Sequence, residues 1–570
     1  MAVPQQQFQQ PIGQLLIAKG VISEDQLRIA TQEQSKSPQP LGRLLVRLGF
    51  LSEATIRDVL SENLGQESVD LSNVIVDSAA VTMIPKEVAR RYQLVPISVD
   101  AGHKTLTLAV ADPDNIIALD QVRALLKDEY RLITLLASES DILRAIDQYY
   151  GFELSIDGIL HEIEPGELEH QASLQQGVNE FSQPVVRLID ALLTEAVQQN
   201  ASDIHFEPEN SFLRIRYRVD GVLRQVRSLH KSFWPAMVVR LKVMSGMNIA
   251  ETRAPQDGRI SLRLSGRPID FRVASHPTNY GENLVLRILD RQKGIVPVNQ
   301  LGLDDAALSI LLSIIAKPEG IVLVTGPTGS GKTTTLYSVL NHVNTESVNI
   351  MTLEDPVEYP IPLIRQSSVN EAAKLDFASG IRSLMRQDPD IILVGEIRDH
   401  PTAEMAFRAA MTGHQVYSTL HTNSAIGAIP RLLDIGILPD ILAGNIIGIV
   451  AQRLIRILCR HCKYPYQPDL SERKLLGLHH NEDITLYRAA GCDLCRHQGY
   501  TGRQAIMEIL KMDSDLDDLV ARRASIRDIK HAALHAGFRP LAQDGIRRIL
   551  QGVTSVAEVS RVVDLTDRQH

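Results

Sequence analysis

Cysteine is nearly absent from this chain. Only four of 570 residues are cysteine, and all lie between Cys459 and Cys495, which excludes a disulfide framework spanning the protein and implies one local use. Aromatic residues are few, at 4% with a single tryptophan, so no stacking platform for single-stranded nucleic acid is in evidence. Long apolar runs are missing too. Stretches such as Ile321–Thr325 and Leu442–Ala451 fall far short of the ~20 residues that a membrane helix needs. The opening MAVPQQQFQQPIGQ lacks the charged and apolar regions of a signal peptide, so a cytoplasmic protein is expected, one that meets a membrane only through a partner. Nor is there a basic excess: 59 basic against 68 acidic residues give a net charge of −9, which disfavours a whole-chain grip on nucleic acid or anionic lipid.

What is present is a globular composition, 44% hydrophobic and 22% charged, on a length corresponding to roughly 3–4 domains. An internal repeat comes first. Residues 11–34 (PIGQLLIAKGVISEDQLRIATQEQ) and 40–63 (PLGRLLVRLGFLSEATIRDVLSEN) share one frame. Gly20 and Gly49 stand where a glycine closes a helix, and Ser23 and Ser52 where a cap opens the next. Each copy therefore predicts a helix pair, and two copies predict a small helical domain serving either packing or ligand binding. From 71 to 150, strand-like runs at Leu106–Val110 and Arg131–Leu136 predict a small α/β companion, so that 1–150 forms an N-terminal module. The stretch 151–183 is acidic, with Glu162, Glu164, Glu167 and Glu169 close together, and reads as a solvated linker about which that module moves. From 184 to 295, period-two alternation in LRIRYRVDG (213–221) and IDFRVASHPTNYGENLVLRIL (269–289) marks the half-buried strands of an α+β unit.

The densest chemistry lies at 321–334. IVLVT reads as a strand, GPTGSGKT (326–333) fits G-x-x-x-x-G-K-[ST], and TTLYSVLNHV continues as a helix, the context that a phosphate-binding loop requires. Along Gly326, Pro327, Thr328, Gly329, Ser330, Gly331 and the helix start at Thr334, backbone N–H groups converge on phosphate oxygens. Lys332 reaches the outer phosphates and Thr333 offers its hydroxyl to Mg²⁺. ATP and Mg²⁺ are the implied ligands. Three further strands end in polar clusters: NIMTL before Glu354, Asp355 and Glu358, IILVG before Glu396, Arg398 and Asp399, and QVYSTL before His421, Thr422 and Asn423. In an open parallel sheet ligands bind beyond the carboxyl ends of the strands, so these clusters are expected to face one site. Carboxylates there can position Mg²⁺ and its waters, and one can orient or deprotonate the attacking water.

The cysteines form two C-x-x-C pairs, Cys459 with Cys462 and Cys492 with Cys495. Such knuckles can converge on tetrahedral Zn²⁺, with no open position for catalysis; His461 and His497 lie beside them as bystanders. Around the first pair, Arg453, Arg456, Arg460 and Lys463 have no acidic sequence neighbours, and the C-terminal helices add Arg522, Arg523, Arg527, Lys530, Arg547 and Arg548. These read either as solvated helix faces or as a patch for an acidic partner.

Two resemblances follow from these motifs. The repeat at 11–34 and 40–63 resembles the MshEN domain, whose family binds cyclic di-GMP, although Pro11 and Pro40 replace an arginine frequent there and Asn63 replaces a closing glutamine. The P-loop, LEDPVE, VGEIRD and TGHQVYSTLHTN, together with ASDIHFEP, APQDGR and the cysteines, resemble the secretion ATPase superfamily of type IV pilus and type II secretion motors over residues 180–560. The resemblance implies a RecA-like P-loop ATPase domain at 296–570 carrying a zinc unit at about 455–500, preceded by a PAS-like α+β domain at 184–295. It gives Glu358 the activation of water, Glu396 the Mg²⁺, Glu354 and Asp355 support of the nucleotide, and His414 and His421 the sensing of the γ-phosphate. Arg272 and Arg287 match arginines that the preceding domain turns on the nucleotide; Arg214, Arg216, Arg218 and Arg259 are further candidates. It further implies a cytoplasmic homohexamer on the inner face of the bacterial inner membrane, docked on a platform protein and other pilus or secretion components. Pilus assembly is the expected task, with type II secretion the alternative. A DNA translocase is a third class, which the net charge opposes.

Overall fold

The glycines of the repeat close their helices as expected. In the computed structural model, which describes residues 12–36, 41–64, 66–150, 156–162, 178–264, 266–290, 295–370, 373–479 and 483–566, helix Ile12–Ala18 precedes Glu24–Lys36 and helix Leu41–Arg47 precedes Glu53–Leu64. Gly20 and Gly49 have φ of 68° and 74°, and Val21 and Phe50 donate back to the carbonyls of Leu16 and Leu45, the left-handed helix closure that glycine makes cheaply. Ser23 and Gln26 then cap the second helix reciprocally. Leu16, Ile22, Ala30, Leu45 and Val59 form the core of these helices.

The chain forms two compact units, residues 1–292 and 293–570. In the first, β1 (Val74–Ile75) is followed by a three-stranded sheet of β2 (Leu94–Asp100), β3 (Thr105–Val110) and β4 (Arg131–Leu136), the last two lying on the runs read as strands. A seven-stranded sheet then takes the order β1-β8-β9-β10-β5-β6-β7, with β5 (Ala201–Pro208), β6 (Phe212–Val219), β7 (Val222–His230), β8 (Gln256–Leu264), β9 (Arg267–Thr278) and β10 (Gly281–Asp290). Its pairs are antiparallel apart from β1 on β8, which is parallel. In β6, Leu213, Ile215, Tyr217 and Val219 are buried while Arg214, Arg216 and Arg218 face the other side, the period of two that the sequence shows.

The stretch read as a linker is partly packed. Ile156–Glu162 is a helix whose Ile156 and Ile159 are buried in the core of the seven-stranded sheet, and the next helix, Val178–Gln198, begins before position 184. Apolar residues at 156, 159 and 160 share one helical face, so the acidic surroundings do not prevent burial. Glu164, Glu167 and Glu169 lie outside the described residues. The module is also joined to the sheet that follows: β1 pairs with β8, and the Tyr149 hydroxyl reaches Asp190 Oδ2 at 3.4 Å. Burial pushes the Asp190 carboxyl up to about 7, with Arg240 and then the Tyr149 hydroxyl opposing the rise. The native state thus holds this proton more tightly than the unfolded chain, whose aspartate titrates near 3.9, and stability falls as pH rises from about 4 through about 7. Asp190→Asn is expected to raise the melting temperature more at pH 8 than at pH 5, measured by thermal unfolding of the full chain.

In the second unit, a seven-stranded sheet has the order β13-β12-β14-β15-β11-β16-β19. It is built from β11 (Gly320–Thr325), β12 (Ile350–Glu354), β13 (Arg365–Ser368), β14 (Ile391–Val394), β15 (Gln415–Leu420), β16 (Ile446–Leu458) and β19 (Tyr500–Lys511). All neighbours are parallel except β16 and β19. Every residue of β11, β14 and β15 is buried, as sheets covered by helices on both faces require. Between β16 and β19 stands a small two-stranded sheet of β17 (Tyr464–Tyr466) and β18 (Leu486–Arg488).

Candidate active site and metal centre

Three of the four expected clusters converge with the P-loop because β11, β12, β14 and β15 run parallel and end at the same edge of the sheet. Thr325 closes β11 and the helix Lys332–Val343 follows the loop. Gly326, Gly329 and Gly331 have φ of 148°, 79° and 91°, and a Cβ on Gly326 would sit 2.6 Å from the Gln452 carbonyl oxygen. Pro327, Thr328 and Gly329 are exposed and Thr333 is half-buried. Ser330 Oγ is buried with no hydrogen-bond partner among the described residues, which fits a loop built to take up an anionic oxygen. Lys332 Nζ donates to the Gly326 carbonyl at 2.8 Å and the Pro327 carbonyl at 3.3 Å. Burial draws the Lys332 ammonium below its ordinary range; Glu396 works against this and Arg453 adds to it.

Glu396 is held from two sides, by Arg398 at 2.5 Å and by His421 Nε2 at 3.4 Å. Thr422 fastens the His421 loop to the strand that leads into the P-loop, its hydroxyl lying 2.7 Å from that of Thr325. Asp355 is exposed beside the site and Glu358 is half-buried.

Glu354 has a different place from the one expected. It is buried, accepting from the Tyr337 hydroxyl, from Thr352 Oγ1 at 2.6 Å and from Gln366 Nε2 at 3.3 Å. Burial raises its pKa, and these hydrogen bonds oppose the rise. Tyr337, on the P-loop helix, accepts in turn from the Glu358 N–H at 3.3 Å, so its hydroxyl links Glu354 to the backbone carrying Glu358. Tyr337→Phe removes a donor from a buried carboxylate and is expected to cost about 1–3 kcal/mol, read as a fall in unfolding midpoint.

His414 does not join this cluster within the chain. It precedes β15, its carbonyl accepts from the N–H of Gly320 at the start of β11, and its ring contacts the Ala409 carbonyl at 2.9 Å. A six-residue strand separates it from His421, so within one chain it lies at the far end of the sheet, ~20 Å from the P-loop edge.

The candidate arginines of the first unit share one face of its sheet. Arg259 pairs in register with Arg272, Arg272 with Arg287, Arg287 with Asp203 and Asp203 with Arg218. Like charges directly opposite repel, and carboxylates interleave the row: Arg287 donates to Asp203 at 3.2 Å and Arg259 meets Asp270 at 3.1 Å. Arg214 and Arg216 are both engaged by Glu207.

The four cysteine sulfurs lie within 4.8 Å of one another and no disulfide joins them. Cys459 and Cys492 are 4.0 Å apart, and Cys462 and Cys495 are 3.7 Å apart. A tetrahedron with ~2.3 Å metal–sulfur bonds has sulfurs about 3.8 Å apart, so the set fits zinc. Several of the basic residues near it are used inside the chain, while Arg522, Arg523 and Arg527 stay exposed on and beside the C-terminal helices, as solvated helix faces would be. Arg456 meets Glu558 at 2.6 Å and lies over Tyr500 at 4.1 Å, Lys463 donates to the Gly552 carbonyl, Arg522 pairs with Asp518, Arg547 pairs with Asp304, and Arg453 and Arg548 are buried. These partners are distant in sequence or sit on the same helix.

The model of the family described as "Type II/IV secretion system protein" matches residues 179–561. The chain belongs to that family. This type II/IV secretion system protein is 39% identical over 559 residues to the type IV pilus assembly ATPase PilB of Myxococcus xanthus, covering 96% of the chain and 98% of the relative. It is 40% identical over 492 residues to the type II secretion system ATPase E of Vibrio cholerae, covering 85% and 97%. The ATPase DotB of Legionella pneumophila shares the fold, with a TM-score of 0.50 at 22% identity over 66% of this chain and 94% of that one. ATP and Mg²⁺ are accordingly the ligands of this secretion ATPase, and among its described residues no helix is long and apolar enough to cross a membrane. The MshEN model matches residues 64–156; it therefore falls on the small α/β part and not on the helical repeats that carried the resemblance.

Proposed function

We propose that this secretion ATPase is the assembly motor of a type IV pilus, working as a homohexameric ring at the cytoplasmic face of the inner membrane against a platform protein. The observation that carries this reading is the match to PilB along 96% of the chain, N-terminal module included. Lys332 and the P-loop amides hold the phosphates, Thr333 and Glu396 hold Mg²⁺, and Glu358 orients the attacking water. Magnesium supplies charge neutralisation to the phosphoryl group during transfer. The arginine row of the first unit suits the same task, since a guanidinium fork spreads charge over the equatorial oxygens. Deletion of the gene, followed by counting surface pili and assaying secreted enzymes, tests the assignment: loss of pili with secretion intact supports it.

Type II secretion is favoured by another observation, the 48% identity over 379 residues to the type II secretion system protein E of Pseudomonas aeruginosa. Loss of secreted enzymes with pili intact would select that reading.

The cysteines hold structural zinc. For the N-terminal module we infer cyclic di-GMP binding, supported by the MshEN match to residues 64–156. Calorimetry on the full chain checks it, and absence of heat with cyclic di-GMP would sink it.

A further inference from the structure

Gln452 is buried at 1% exposure, and its amide is spent at one end on the nucleotide loop and at the other on the first turn of the helix that follows it. Its Nε2 donates to the Ser330 carbonyl at 2.7 Å and its Oε1 accepts from Thr335 Oγ1 at 2.8 Å. Ser330 and Thr335 flank Lys332 and Thr333, so one side chain grips the P-loop on both sides of its two ligand residues. The strand register puts it there: Thr325, the last residue of β11, pairs with Ala451 of β16, and β16 runs on past the end of β11 alongside the loop. The approach is close enough that Gly326 and Gly331 are both needed, since a Cβ on either would meet Gln452, at 2.6 Å and 3.1 Å.

Arg453 secures this strand to the other flank of the site. Buried at 8% exposure, it donates to the Gln452 carbonyl at 2.9 Å, to the Asn423 carbonyl at 3.0 Å and to Asn423 Oδ1 at 3.2 Å. Asn423 follows His421 and Thr422, which face Glu396 and Thr325.

We propose that Gln452 is a positioning residue for nucleotide binding, with Arg453 fixing it to the His421–Asn423 loop. The physical reason lies in the peptide plane. In a trans peptide the C=O and the following N–H point opposite ways, so tying the Ser330 carbonyl to Gln452 aims the Gly331 N–H away from β16, toward the side left open to a phosphate. Without the tie, the loop must spend binding energy to adopt that conformation, which weakens ground state and transition state alike. This rests on the reading of Lys332 and Thr333 as phosphate and Mg²⁺ ligands.

The test uses the full chain with MgADP and MgATP as probes. Gln452→Met keeps the shape and removes both hydrogen bonds; it is expected to raise the Kd for MgADP and the KM for MgATP about tenfold, with kcat at saturating MgATP changed less than about threefold. Should that variant fail to fold, Thr335→Val removes one of the two bonds and is expected to shift Kd and KM in the same direction. Lys332→Ala serves as the reference. If it leaves MgADP binding intact, the reading of the site fails; if it abolishes binding while Gln452→Met and Thr335→Val keep wild-type Kd and KM, only the role of Gln452 fails. A fall in kcat with KM unchanged also overturns it.

Discussion

Glu358→Gln is expected to lower kcat for ATP hydrolysis by about 10²–10⁴-fold, the range supplied by a positioned general base, while nucleotide affinity stays near wild type. The substitution preserves shape and removes the charge proposed to orient or deprotonate water, and the Glu358 backbone keeps its hydrogen bond to Tyr337. Lys332→Ala and Glu396→Ala are expected to abolish hydrolysis by another route. Lys332 carries the positive charge at the P-loop, and Glu396 is the carboxylate that Arg398 and His421 hold at the end of β14. Steady-state hydrolysis together with equilibrium MgADP binding separates the two routes. Glu358→Gln acts on kcat alone, whereas Lys332→Ala acts on binding as well. Hydrolysis unchanged in Lys332→Ala and Glu396→Ala would show the catalytic assignment to be wrong.

Loss of the proposed zinc is expected to give the second large effect. The tetracysteine unit is small, with a two-stranded sheet and few buried side chains such as Leu476 and Leu486, so its own apolar core contributes little. Structural zinc held by cysteines supplies binding free energy on the order of 10 kcal/mol to the fold around it. Cys462→Ser, or removal of metal by a strong chelator, is expected to unfold residues 459–499 locally, with a lowered melting temperature and protease cleavage within that segment. Metal analysis should find one zinc per cysteine set in the wild-type chain and well below that in the variant. Wild-type protein with little zinc but the same melting temperature would exclude the structural role.

The sequence made the catalytic edge legible because its signals are local. A P-loop is a strand, a turn and a helix in immediate succession, and each polar cluster directly follows an apolar run, so one topological rule places them together. Where sequence and structure part, the cause lies in register or in distance. His414 and His421 stand in one motif, yet a strand between them sends them to opposite edges. Glu354 looks like a third site carboxylate, but it is the last residue of β12 and turns into the core to meet Tyr337. Gln452 stands 122 positions from the carbonyl it holds, and only the pairing of β16 with β11 brings them together. The arginines near the cysteines looked unrelieved because Glu558, 102 positions from Arg456, is invisible to a local charge count. Helix Ile156–Glu162 was hidden differently, since its apolar spacing was present but outweighed by its acidic neighbours.

The joining of β1 to β8 matters to anyone shortening this protein. β1 is only two residues long, Val74 and Ile75 paired with Arg263 and Leu264, but it occupies the margin of a seven-stranded sheet. A chain cut back beyond it would leave the β8 backbone amides and carbonyls without their partner, and such a bare margin recruits strands from other molecules. A fragment begun at about residue 150 is therefore expected to self-associate through this margin, whereas one that keeps residues 66–150 stays shielded.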